Sequence, residues 1–114
     1  MVFSDGACDV SRRTDIRLVF QRRLKEARLT SQLSQKDLGI HAGLDQFVAS
    51  ARINRYELGV HEPDMATIER LAAALSVPTA YLFAEDERLA RLILAFEKMP
   101  LAEKDRLLKA VESR

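Results

Sequence analysis

The stretch LSQKDLGIHAGLDQFVASARINRYELG at residues 33–59 constrains this chain more than any other. Ser34 is a strong N-cap type, and Asp37 stands three positions later, where a capping-box acid can reach back. Leu38 and Ala42 fall one turn apart on one helical face. Gly43 offers a left-handed stop. Ser50 is a second N-cap type, and the segment it opens runs to another glycine, Gly59. Two short helices are therefore expected, at about 35–42 and 51–58, joined at a glycine and closed by a glycine.

The flanking sequence supplies an all-α frame. Ile16, Phe20, Leu24 and Ala27 recur at helical spacing and predict a first helix over 14–29, capped by Thr14 or Asp15. Asp64 is the N-cap of a fourth helix bearing Met65, Ile68, Leu71, Ala72 and Leu75. Pro78 starts a short fifth helix that ends near Phe83. Beyond the acidic run 85–87, Leu89, Leu92, Ile93 and Phe96 form one apolar stripe. Met99-Pro100 breaks it, and Leu107, Leu108 and Val111 mark a last helix. No strand alternation and no internal repeat occur.

The second helix of the 33–59 unit carries Arg52, Asn54 and Arg55. Arginine and asparagine are side chains that read base edges in a major groove, and two helices joined by a turn are the helix-turn-helix that delivers them there. Arg55 lies two residues after Ile53, a core position, and so faces outward, toward guanine or a phosphate. Asn54 suits adenine, or a hydrogen bond within its own helix.

The chain resembles the phage-repressor-type, lambda-repressor-like helix-turn-helix regulators from about Leu18 to Phe83. The matching pieces are LSQKDLG, Gly43-Leu44, I-N-R-Y-E-x-G at 53–59, the Pro-Asp start at 63–64, and ERLAAALSVP at 69–78. Two departures stand out. The interval from Gly43 to Glu57 is about four residues longer than the family's usual turn, with the extra residues within 44–50. Val60 stands where members often carry a basic residue.

The resemblance implies a five-helix DNA-binding core with two C-terminal helices added. It implies that Ser50, Ala51 and Arg52 enter the groove beside Asn54 and Arg55, unless Ser50 is occupied as a cap. It implies phosphate contacts from Gln35, Lys36 and His61. It also implies a partly buried ion pair between Arg28 and Glu57 that orients the first helix against the third. Gly39 would let the second and third helices cross closely.

Composition bounds the rest. A chain of 114 residues suits one core, with a flexible tail expected at 1–13, a DNA-binding domain at 14–84 and a helical extension at 85–114 expected to serve dimerisation. Net charge is only +1, yet residues 12–36 hold eight Arg or Lys against Asp15 and Glu26, and residues 62–114 hold eight basic against ten acidic. A basic front and an acidic back suit a protein that presents one face to phosphates. No apolar run is long enough for a membrane span, and Asp5, Asp9, Arg12 and Arg13 interrupt any secretory leader. The lone Cys8 fits a reducing cytoplasm. Neither catalytic nor metal-ligand spacing is present, no glycine-rich phosphate loop is found, and no cofactor is implied. The sequence thus reads as a transcription regulator, a repressor that binds double-stranded DNA as a homodimer on a two-fold operator, with no effector specified. The competing reading is a protein-interaction module of the same fold, antitoxin or adaptor-like.

Overall fold

The computed structural model describes residues 15–114, so the expected tail at 1–13, Cys8 and the alternative cap Thr14 lie outside the described residues. Six α-helices and one 3-10 helix follow in order: α1 Ile16–Thr30, α2 Gln35–His41, α3 Ala49–Leu58, α4 Met65–Leu75, the 3-10 helix Thr79–Phe83, α5 Glu87–Glu97 and α6 Leu101–Glu112. Among the described residues there is no strand.

Local capping chemistry sets most of the helix starts. Asp15 accepts from the Arg17 N–H at 2.9 Å, Ser34 Oγ from the Asp37 N–H at 2.9 Å, and Asp64 from the Thr67 N–H at 2.8 Å. Asp86 accepts from the Arg88 and Leu89 N–H groups and opens α5. The exception is α3. Its N-cap is Val48, which has no side-chain cap bond, and Ser50 lies inside the first turn. The helix starts earlier than Ser50 suggests because the Val48 carbonyl already accepts the Arg52 N–H, at 2.9 Å, with Ala49 fully buried between them.

The core is the meeting of α1, α3 and α4 with α2 and the 3-10 helix. Phe20, Leu24, Leu38, Ile53, Leu71 and Leu82 lie at its centre. Phe20 stacks on Phe83 with ring centroids 5.7 Å apart. The periodicity misplaced two residues: Ile16 and Met65 sit at the solvent ends of their stripes and are exposed. The fifth helix of the core is a 3-10 turn, its start set by Pro78.

The C-terminal extension is only partly docked. Ala90 is buried, and Ile93 and Leu94 pack against the core. Leu89, Leu92 and Phe96 remain exposed, so the stripe read from sequence is divided between core and surface. Helix α6 buries no residue.

Candidate nucleic-acid interface

The surface around α3 is built from the α2–α3 crossing outward. A Cβ on Gly39 would meet the Cβ of Ala49 at 2.6 Å and its Cα at 3.0 Å. Glycine at 39 therefore lets α2 and α3 touch backbone to side chain, which sets how far α3 stands out from the domain.

An ion pair fixes the orientation of α3. Arg28 Nε donates to Glu57 Oε2 at 2.5 Å and Arg28 Nη2 to Glu57 Oε1 at 3.2 Å. Arg28 Nη1 also donates to the Leu33 carbonyl at 3.1 Å. Both side chains are buried, so the bidentate geometry satisfies charges that would otherwise be costly there. Gln35 extends the network: its amide nitrogen donates to Glu57 Oε1 and to Asn54 Oδ1, each at 3.1 Å. Asn54 is thereby tied across to α2, not bonded within its own helix. Both amide hydrogens of Gln35 are engaged inside the protein.

With Ala49, Ile53, Tyr56 and Glu57 turned inward, Ser50, Ala51, Arg52, Asn54 and Arg55 form the exposed side of α3. Arg52, Arg55 and His61 line one open groove of about 470 Å³, with Tyr56, Glu62, Pro63, Asp64 and Thr67 as its other walls. Among the described residues no ion pair engages Arg52 or Arg55. The two acids nearby are committed elsewhere. Glu62 pairs with Arg17 at 3.3 Å, and Asp64 caps α4. Lys36 is exposed beside Gln35 at the start of α2.

The charge asymmetry read from sequence overstates the basic front. Arg23 and Arg28 are buried, and Arg17 pairs with Asp15 and Glu62. Of the basic residues in 12–36, Arg12 and Arg13 lie outside the described residues, leaving Arg22, Lys25 and Lys36 as exposed cations without a salt bridge. The internal use of arginine is the physical reason: a guanidinium ties elements together through several fixed donors.

Arg23 is the clearest residue that sequence reasoning missed. It is 1% exposed and donates to the Ala84 carbonyl at 2.8 Å, the Glu85 carbonyl at 3.1 Å and Glu87 at 2.8 Å. Its guanidinium lies 5.6 Å from the Tyr81 ring centre. Burial is the largest single influence and works against its charge, but the Glu87 hydrogen bond together with the charges of Glu87 and Glu26 and the field of Tyr81 outweighs it, and the Arg23 pKa is raised. Position 23 lies three residues after Phe20 and four before Ala27, so helical spacing alone would have placed it on the inner face. Arg23 joins the DNA-binding core to the start of α5.

No helix among the described residues is long and apolar enough to cross a membrane, and no three His, Cys, Asp or Glu side chains gather as a metal site.

The fold and the exposed arginine helix define a class, and comparison with known proteins agrees. The model of the helix-turn-helix domain family matches residues 20–82, more than half of the chain. The chain belongs to this family and is a DNA-binding transcription regulator of the phage-repressor-like type. It is 28% identical over 102 residues to the cryptic phage CTXphi transcriptional repressor RstR of Vibrio cholerae, a match covering 83% of this chain and 86% of that protein. It is also similar to the crystal structure of the transcriptional regulator BswR, with a TM-score of 0.76 and 44% identity over 82% of this chain and 93% of that one.

Proposed function

We propose that the protein is a repressor that binds a two-fold operator as a homodimer and blocks polymerase access. The observation that carries this reading is the pair Arg52 and Arg55, exposed and, among the described residues, free of ion pairs on a helix whose orientation is set by Arg28–Glu57 and Gly39. In it, Ser50, Ala51, Arg52, Asn54 and Arg55 face base edges. Lys36 and His61 hold phosphates on either side, and Gln35 joins them once its amide turns outward from Asn54. The similarity to RstR supports the repressor sense.

The extension supports the dimer. Leu89, Leu92, Leu101, Leu108 and Val111 are each about half exposed or more, and α5 carries an apolar groove of about 250 Å³ with Pro78 on its wall. Apolar faces of this kind are usually interfaces. A two-fold operator with half-sites one turn of duplex DNA apart would require that pairing to hold two α3 helices about 34 Å apart.

The test is selection of duplexes from a random pool with the full chain, followed by binding of the enriched site over a salt series. The reading expects an inverted repeat, affinity that falls steeply with salt, and a dimer by sedimentation at micromolar concentration. Failure to enrich any sequence, with salt-independent partner binding instead, would support the protein-interaction reading. A monomer that binds a single half-site would remove the homodimer.

A further inference from the structure

Phe47 is 87% exposed, the largest exposure of any large apolar side chain among the described residues. The ring does not stand out because the turn is loose. The Phe47 N–H donates to Asp45 Oδ1 at 2.8 Å, and the Val48 N–H donates to the Asp45 carbonyl at 3.0 Å. One aspartate thus closes the turn with both its side chain and its backbone. On the other side the chain enters α3 through Ala49, wholly buried against Gly39. The backbone that carries the ring is anchored at both ends.

The ring sits two residues before the first residue of α3. In a helix-turn-helix the N-terminal end of the second helix is the part that meets base edges. Val48 is 41% exposed, and the exposed Ala51 continues the apolar surface to Arg52. The reading end of α3 is therefore apolar at its tip and cationic behind it. Base edges in the major groove offer one apolar group, the C5 methyl of thymine.

We propose that Phe47 is a specificity-determining residue that packs on a thymine methyl in the major groove, at the operator position next to the bases that Arg52 and Arg55 meet. The longer turn between α2 and α3 is what delivers the ring. The proposal rests on α3 reading DNA.

The experiment uses the full chain and the duplex it enriches from a random pool. Each thymine is replaced in turn by deoxyuridine, which removes the methyl and keeps every hydrogen-bonding edge. Wild-type protein should lose about three- to tenfold in affinity at one thymine in each half-site. Phe47→Ala should lose a similar factor on the thymine site and be insensitive to deoxyuridine at that same position, so that the two changes are not additive. Its melting temperature should stay close to wild type, because little of the residue is covered among the described residues. Equal deoxyuridine sensitivity in both proteins, or full affinity in Phe47→Ala, overturns the proposal. A Phe47-dependent kink in the DNA without thymine-methyl dependence also overturns it, in favour of a wedge. A chain that enriches no sequence overturns the DNA-reading assignment and this proposal together, whereas an enriched site without a Phe47-dependent thymine overturns this proposal alone.

Discussion

A methyl group on Gly39 would lie 2.6 Å from the Cβ of Ala49, well inside the distance at which carbon atoms pack. The crossing of α2 and α3 depends on that missing methyl. The neighbouring Ala49 Cα and carbonyl oxygen, at 3.0 and 3.1 Å, are main-chain atoms, so no rotamer change can relieve the clash. Gly39→Ala should therefore destabilise the protein by about 1–3 kcal/mol of overpacking, reduced by the roughly 1 kcal/mol that alanine gains in helix propensity. Urea denaturation checks this through a lower midpoint, which Ala49→Gly in the same chain should partly restore. An unchanged midpoint would show that the two helices separate freely.

Glu57→Ala should cost about 3–5 kcal/mol, because it leaves Arg28 buried and uncompensated and releases Gln35. Glu57→Gln keeps one acceptor and should cost less. Thermal melting distinguishes the two. A melting temperature that does not move in the alanine variant contradicts an orienting role for the pair.

Arg23→Met preserves much of the buried volume but removes the donors to Ala84, Glu85 and Glu87. The cost expected is about 1–3 kcal/mol for the orphaned Ala84 carbonyl, since the Glu85 carbonyl still accepts from Arg22 Nη2 at 3.3 Å. Hydrogen exchange should quicken first in α5, while α2 and α3 keep their protection. Uniform acceleration through the whole chain would mean that Arg23 supports the core generally and is not a tie to the extension.

Arg55→Ala removes an exposed cation and should leave stability alone. Affinity for the enriched site should fall by roughly 1–3 kcal/mol, with relaxed preference at one base pair. Loss of affinity with no change in base preference would assign Arg55 to a phosphate; wild-type affinity would remove it from the interface.

Hydrogen bonding from the Thr67 side chain, and then from its N–H, holds the Asp64 carboxyl below the ordinary aspartate range. A depressed folded-state value means that the contribution is complete above the unfolded value, about pH 4, and is lost as pH falls through the folded one. Asp64→Asn keeps a capping acceptor that does not titrate. Any stability advantage of wild type over this variant should therefore be constant near neutrality and shrink below about pH 4. An advantage that persists in acid would show that charge at this cap is irrelevant.

The caps at Asp15, Ser34 and Asp64 and the stop at Gly43 could be read without coordinates, because each acts on backbone groups within a few residues of itself. Two helix ends could not. Gln32 and Ser76 close α1 and α4 with φ of 59° and 57°, a left-handed conformation for which no glycine signals. The start of α3 was also missed, since Ala49 enters the helix through its packing on Gly39 while Ser50 has the better local chemistry.

From sequence alone came the all-α order, the helix-turn-helix and the outward side of α3, which follow from spacing along one chain, while the pairing of Arg28 with Glu57 came from the resemblance to the family. Only the tertiary structure decided how each charge is used. Arg23 was counted in the basic front although helical spacing turns it inward, and its partners Ala84 and Glu85, more than sixty residues away, are what only the fold supplies. Gln35 and Asn54 looked like independent contacts until α2 and α3 were brought together. Phe47 looked like one apolar residue in a turn; its exposure on an anchored backbone appears only once Asp45 and Ala49 hold both sides. Periodicity reports which way a side chain points within its own helix, whereas burial and pairing depend on what a distant segment places opposite it.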